Sequence, residues 1–105
     1  MDKSAALLRI AESLRDAADG AAWEQLAQMT HALAPQLEAL AARGPLTGAE
    51  RTALQNLRDA HDHAAEAVAA EARALKIRMD DMRANKDGWI AYAMQNASES
   101  GLSQV

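Results

Sequence analysis

The chain of 105 residues has no cysteine and no phenylalanine, and its aromatics are two tryptophans and one tyrosine. Without cysteine there is no disulfide scaffold, no thiolate metal site and no thiol nucleophile, a usage that fits the cytoplasm. Proline (two) and glycine (five) are also scarce. With so few aromatics and so few turn formers, an all-helical protein is expected rather than a sheet. No run of apolar residues approaches the length of a bilayer span. The stretch MDKSAALLRIAESLRDAADG interrupts its apolar positions with Arg9, Glu12, Arg15 and Asp16, the pattern of an amphipathic helix and not of a signal peptide. Basic residues neither dominate nor cluster with aromatics. The formal charge is -4 and the isoelectric point about 5.2, so no direct nucleic-acid or membrane partner is expected.

What the chain has in abundance is alanine. Half of its residues are apolar, but 27 of these are alanine and 25 are larger. Alanine favours helix and lets helices approach closely while burying little area. The length predicts one domain with a thin core, an extended bundle that associates with something else.

Ser4 is the expected N-cap of a first helix running to about Ala18, with Leu7, Ile10, Ala11, Leu14 and Ala18 on its apolar face. Asp19 and Gly20 form the turn, and Gly20 is the residue expected in the left-handed conformation. A second helix over about 21–43 carries the seam Trp23, Leu26, Thr30, Leu33, Leu37 and Leu40. Pro35 lies inside it, where a kink is expected rather than a break because the seam keeps phase on both sides. Gly44 and Pro45 end it. Thr47 and Glu50 have capping-box spacing and mark the start of a third helix.

That third run, from Thr47 to about Asn96, contains no proline and a single late glycine, Gly88. Its bulky residues keep a seven-residue beat, Leu54, His61, Val68, Leu75, Met82 and Trp89. At 1.5 Å per residue it is about 60 to 75 Å long if unbroken. Folding the second helix back on the third pairs Leu37 with Leu54, Leu33 with Leu57, Thr30 with His61, Leu26 with Ala64 and Ala65, and Trp23 with Val68. The first helix covers the third only to about residue 70. Beyond it Leu75, Met79, Met82, Trp89, Ile90, Tyr92 and Met94 have no local partner. Either the chain bends near Asn85 to Gly88 into a short fourth helix, or this surface meets another chain. A single helical-bundle domain over 1–96 and a disordered tail over 97–105 complete the reading.

Catalysis is not expected. His61, Asp62 and His63 are consecutive and diverge on a helix, and the neighbouring helices carry no matching carboxylate and histidine ligands, so neither a metal nor another cofactor is expected. Asp59 and His63 are expected to form an exposed pair, as are Lys76 and Asp80. Thr30 and His61 either form a hydrogen-bonded layer that sets helix register, or His61 reaches solvent at the edge of the seam.

The size and helix layout, A-A-W-E-Q-L at Ala21 to Leu26 and W-I-A-Y at Trp89 to Tyr92 after a long third helix, resemble the small flagellar export chaperones of the FliT type, with the FlgN type as second choice. The resemblance implies a cytoplasmic α-helical chaperone that binds the C-terminal helical region of the flagellar filament-cap subunit. It would prevent premature self-association of that subunit and deliver it to the ATPase complex of the flagellar type III export apparatus. In some relatives the same chaperone restrains the flagellar master transcription activator, a further implied partner. By position and chemistry the implied binding residues are Leu75, Met79, Met82, Trp89 and Tyr92.

The expected architecture is therefore an all-α antiparallel bundle of three main helices, the third very long, with a short C-terminal segment as a fourth helix. Its expected activity is non-covalent docking of a partner helix around residues 75 to 94. The alternative is a self-associating structural protein whose third helix pairs with its twin as a homodimer.

Overall fold

The computed structural model describes the backbone of residues 2–103 and the side chains of residues 2–97. Three helices follow one another: α1 Ser4–Asp19, α2 Trp23–Ala42 and α3 Gly48–Ser103. No strand occurs among the described residues. The third helix is very long, at 56 residues. It runs unbroken through Asn85 to Gly88, so the fold-back into a fourth helix is not adopted. Glycine in a helix interior costs roughly 1 kcal/mol relative to alanine, which one long helix can absorb. The helix also continues past Asn96, over part of the expected tail; Gln104 and Val105 lie outside the described residues. Contacts divide the chain into two compact units, residues 1–70 and 71–105.

In the first unit α1 and α3 run parallel. The Lys3 N–H donates to Glu50 Oε2 at 3.0 Å, Arg15 Nη1 donates to Asn56 Oδ1 at 2.7 Å, and His63 Nε2 lies 2.7 Å from Asp19 Oδ1. Residue numbers thus rise together along both helices. α2 returns alongside both, antiparallel to each, as short connections at both its ends require.

The core holds Leu7, Ala11, Leu14, Ala17 and Ala18 of α1, Leu26, Leu33 and Leu40 of α2, and Ala53, Leu57, Ala60 and Ala64 of α3. On α3 the buried arc is centred one position before the bulky heptad. Leu54 is half-buried and His61 and Val68 are exposed, which corrects the expected pairing of Trp23 with Val68. The reason is that α3 packs against two helices at once. Its alanines let α1 and α2 both approach, and Leu54 is displaced to the flank nearest α2. Leu33 and Leu57 are both buried in the core, with Leu37 and Leu54 packed at its margin.

The connection after α1 is a Schellman motif. Ala22 N–H donates to the Ala17 carbonyl at 2.9 Å and Ala21 N–H to the Ala18 carbonyl at 3.3 Å. The left-handed residue is Ala21, at φ 55°, and not Gly20, whose φ is -87°. Asp19 extends the helix one residue beyond the expected stop, which moves the glycine to the C-cap and places the special conformation on its neighbour. At the other connection Gly44 has φ 114°. Pro35 lies within an otherwise continuous α2.

Two caps join the starts of α1 and α3. Thr47 and Glu50 form the expected capping box: Thr47 N–H donates to Glu50 Oε1 at 2.9 Å and Glu50 N–H to Thr47 Oγ1 at 3.0 Å. Ser4 is not the N-cap but the first helical residue, and its N–H is received by Asp2 Oδ1 at 2.6 Å. Asp2 Oδ2 also accepts the Thr47 hydroxyl at 2.6 Å. Once Asp2 holds the free amide, Ser4 has no capping task left.

Candidate partner-binding surfaces

Residues 71–103, the later part of α3, belong to the second unit. Leu75, Met79, Met82, Trp89, Ile90, Tyr92 and Met94 are all exposed, from 47% for Ile90 to 72% for Trp89. At about 100° per residue, Leu75, Met79, Met82, Trp89 and Ile90 fall within an arc of roughly 100°. Tyr92 and Met94 lie on opposite flanks of that arc, each about 100° from Leu75. Tyr92 is nevertheless tied to the stripe, for its ring meets Trp89 edge to face at 6.4 Å and 86°. Ile77 is exposed as well, but it points to the far side. The geometry therefore brings together five of the seven residues singled out in the sequence and sets two at the margins.

The stripe's charged borders are solvated. The Arg78 guanidinium meets Glu71 Oε1 at 3.2 Å, two turns away, and this pair replaces the expected Lys76 and Asp80 contact. An exposed ion pair of this type contributes about 0–1 kcal/mol.

A second surface belongs to the first unit. Between α2 and α3 a groove of about 700 Å³ opens, walled by Leu33, Ala34 and Leu37 on one side and Leu46, Leu54 and Leu57 on the other. Its α3 rim carries Arg51, Gln55, Arg58 and His61, and Thr30 closes the α2 end. The pairing of Leu37 with Leu54 appears here as two facing walls. The seam pattern alone places these residues in a closed core and gives no groove. The available signal was Arg51, Gln55 and Arg58 at i, i+4 and i+7 beside Leu54.

Thr30 and His61 share this groove but form no layer. The Thr30 hydroxyl donates to the carbonyl of Leu26 on its own helix at 2.9 Å, and His61 is exposed. A threonine one turn after a helical carbonyl reaches it without any partner helix. His63 bridges to Asp19 of α1, while Asp59 accepts from Gln55 Nε2 at 3.1 Å. The expected Asp59 and His63 pair is therefore not formed, because each residue has a nearer partner.

The most perturbed acids belong to the caps. Glu50 is fully buried, and the Arg43 guanidinium contacts both its carboxylate oxygens. That contact, followed by the Thr47 N–H, holds its pKa near 2 instead of 4.5. Asp2, bound by Ser4 and then Thr47, is lowered from 3.8 to about 2. These carboxylates serve helix starts. Among the described residues no group of three or more histidines and carboxylates is arranged to hold a metal, and no helix is long and apolar enough to cross a membrane.

No protein-family model, no curated protein and no solved structure matches this chain.

Proposed function

We propose that the chain binds an amphipathic helix of a protein partner along Leu75, Met79, Met82, Trp89 and Ile90. The observation that carries this reading is the gathering of five large apolar side chains, all about half exposed or more, on one face of the helical segment. Fully covering a side chain of this size contributes about 1.5–3 kcal/mol, against association costs of roughly 4–15 kcal/mol. Covering what is still exposed of all five gains roughly 4–9 kcal/mol on this side, and the partner's own apolar face adds a comparable amount, which together support micromolar binding. The two methionines adapt to varied partners, and a helix face with anchors at 3 and 4 spacing is a common mode of peptide recognition.

Together with the resemblance to FliT-type chaperones, this reading makes the client the C-terminal helical region of a flagellar filament-cap subunit. Covering that region would keep the subunit from self-association until it reaches the export ATPase complex. In calorimetric titration of the full chain with a peptide of that region, the expected result is micromolar binding that Leu75→Asp and Met82→Asp abolish with far-UV dichroism unchanged. Absence of binding overturns the client assignment. Binding indifferent to both substitutions overturns the stripe.

The seven-residue spacing of Leu75, Met82 and Trp89 favours one competing reading, self-association through the same face. A rise in mass near micromolar concentration without any partner selects it.

A further inference from the structure

The α2/α3 groove belongs to the first unit and shares no residue with the stripe. Its lining is unusual for this chain. The sequence has 15 acidic residues and a net charge of -4, yet the groove is lined by two arginines and no carboxylate. Arg51 is anchored at one end, its Nη1 donating to the Leu46 carbonyl at 3.0 Å. Arg58 lies two turns further along the same rim, and among the described residues it has no hydrogen-bond or ion-pair partner. Leu33, Ala34, Leu37, Leu54 and Leu57 are apolar, and Thr30 stands at one end of the α2 wall.

Size decides what the groove can hold. A volume of about 700 Å³ falls within the usual small-ligand range of roughly 300–1,000 Å³. The α2 wall extends only from Thr30 to Leu37, about 10 Å of helix. This is two turns, short for an amphipathic peptide, which is marginal as an isolated helix below about 12–15 residues. An extended hydrocarbon chain advances about 1.25 Å per carbon, from a 1.5 Å bond at a near-tetrahedral angle. About eight carbons therefore span the wall.

We propose that this groove binds a single-chain anionic amphiphile, a medium-chain fatty acid, with its hydrocarbon between Leu33, Leu37, Leu54 and Leu57 and its carboxylate at Arg58. Arg58 would donate a charge-assisted hydrogen bond from a lining that holds no carboxylate.

The test is an NMR titration of the full ¹⁵N-labelled chain with sodium decanoate, octanoate and 1-decanol. Expected are shifts centred on residues 30–37 and 54–61, with decanoate about fourfold tighter than octanoate, since the wall covers about one methylene more than octanoate supplies. Decanoate should exceed decanol about tenfold, a margin that Arg58→Gln removes. Ala34→Trp, at an exposed position on the wall, should block the groove with helicity retained. Should that variant misfold, Arg58→Gln on the exposed rim still decides the headgroup claim. Equal affinity for decanoate and decanol, or shifts confined to residues 75–94, overturns the proposal. So does capture of an acidic amphipathic peptide in the groove without decanoate binding.

Discussion

The backbone N–H of Lys3 donates to the side chain of Glu50 at 3.0 Å across 47 positions of sequence. One carboxylate thereby caps the start of α3, ties down the segment leading into α1 and receives the arginine that ends α2. Three connections meet at a single acid, which explains why a fully buried charge is tolerated in a thin core: each of its oxygens has hydrogen-bond donors.

Acid should loosen this fastening. Glu50 is lowered in the folded chain from 4.5 to about 2, so the unfolded chain takes up the proton first. Its contribution is complete above about pH 4.5 and is lost progressively as pH falls toward 2; Asp2 adds to the same slope. Urea unfolding followed across this range should show stability falling with pH. Glu50→Gln should be less stable at pH 7 and show a shallower acid limb. An unchanged slope in that variant would place the acid sensitivity elsewhere.

Ala21 holds a left-handed conformation that an L-residue with a Cβ adopts at a cost of about 1–2 kcal/mol. Ala21→Gly relieves that cost and adds some unfolded-state entropy. A net gain of about 0.5–1 kcal/mol is expected in denaturant unfolding. A loss would show that the methyl group contributes packing that the motif's geometry does not reveal.

Core and stripe should separate cleanly under truncation. Leu14 and Leu57 are 0% and 2% exposed, and Leu→Ala at either should cost about 2–5 kcal/mol. Met82→Ala, at 69% exposure, should stay within about 0.5 kcal/mol. A comparable loss at Met82 would mean that the stripe is already covered.

Position on the arc should grade the effect on a bound helix. Met82→Ala and Trp89→Ala lie on the stripe and should weaken binding more than Tyr92→Ala or Met94→Ala on its flanks, by about tenfold or more for Trp89. Equal losses at all four positions would indicate a partner that wraps the helix.

His61→Leu should leave stability within about 0.5 kcal/mol of the parent, since the imidazole is exposed and Thr30 is satisfied by its own helix. Marked destabilisation would restore the polar layer between the two residues.

Much of this arrangement is legible in the sequence because it depends on local chemistry. The Thr47 and Glu50 capping box is a property of two side chains three residues apart, and it forms as read. The stop at residues 44 and 45 and the continuity of α2 through Pro35 follow from backbone preference and from a seam that keeps phase. The limit near residue 70 follows from counting helix lengths. Partner choice among polar groups is different. Asp59 and His63 each have several partners within reach, and His63 takes Asp19 because of where α1 lies.

The sequence by itself determined that the chain is helical, where its three helices begin to within about two residues, and that its last bulky residues outrun their neighbours, because periodicity, caps and length are properties of the chain alone. Only the tertiary structure decided which side of α3 is buried. Two helices packing on it together turn the alanine stripe Ala53, Ala60 and Ala64 inward, since small side chains permit the closest approach. That choice leaves Leu54 at the lip of a groove and places Val68 in solvent, an outcome that no spacing along a single helix specifies.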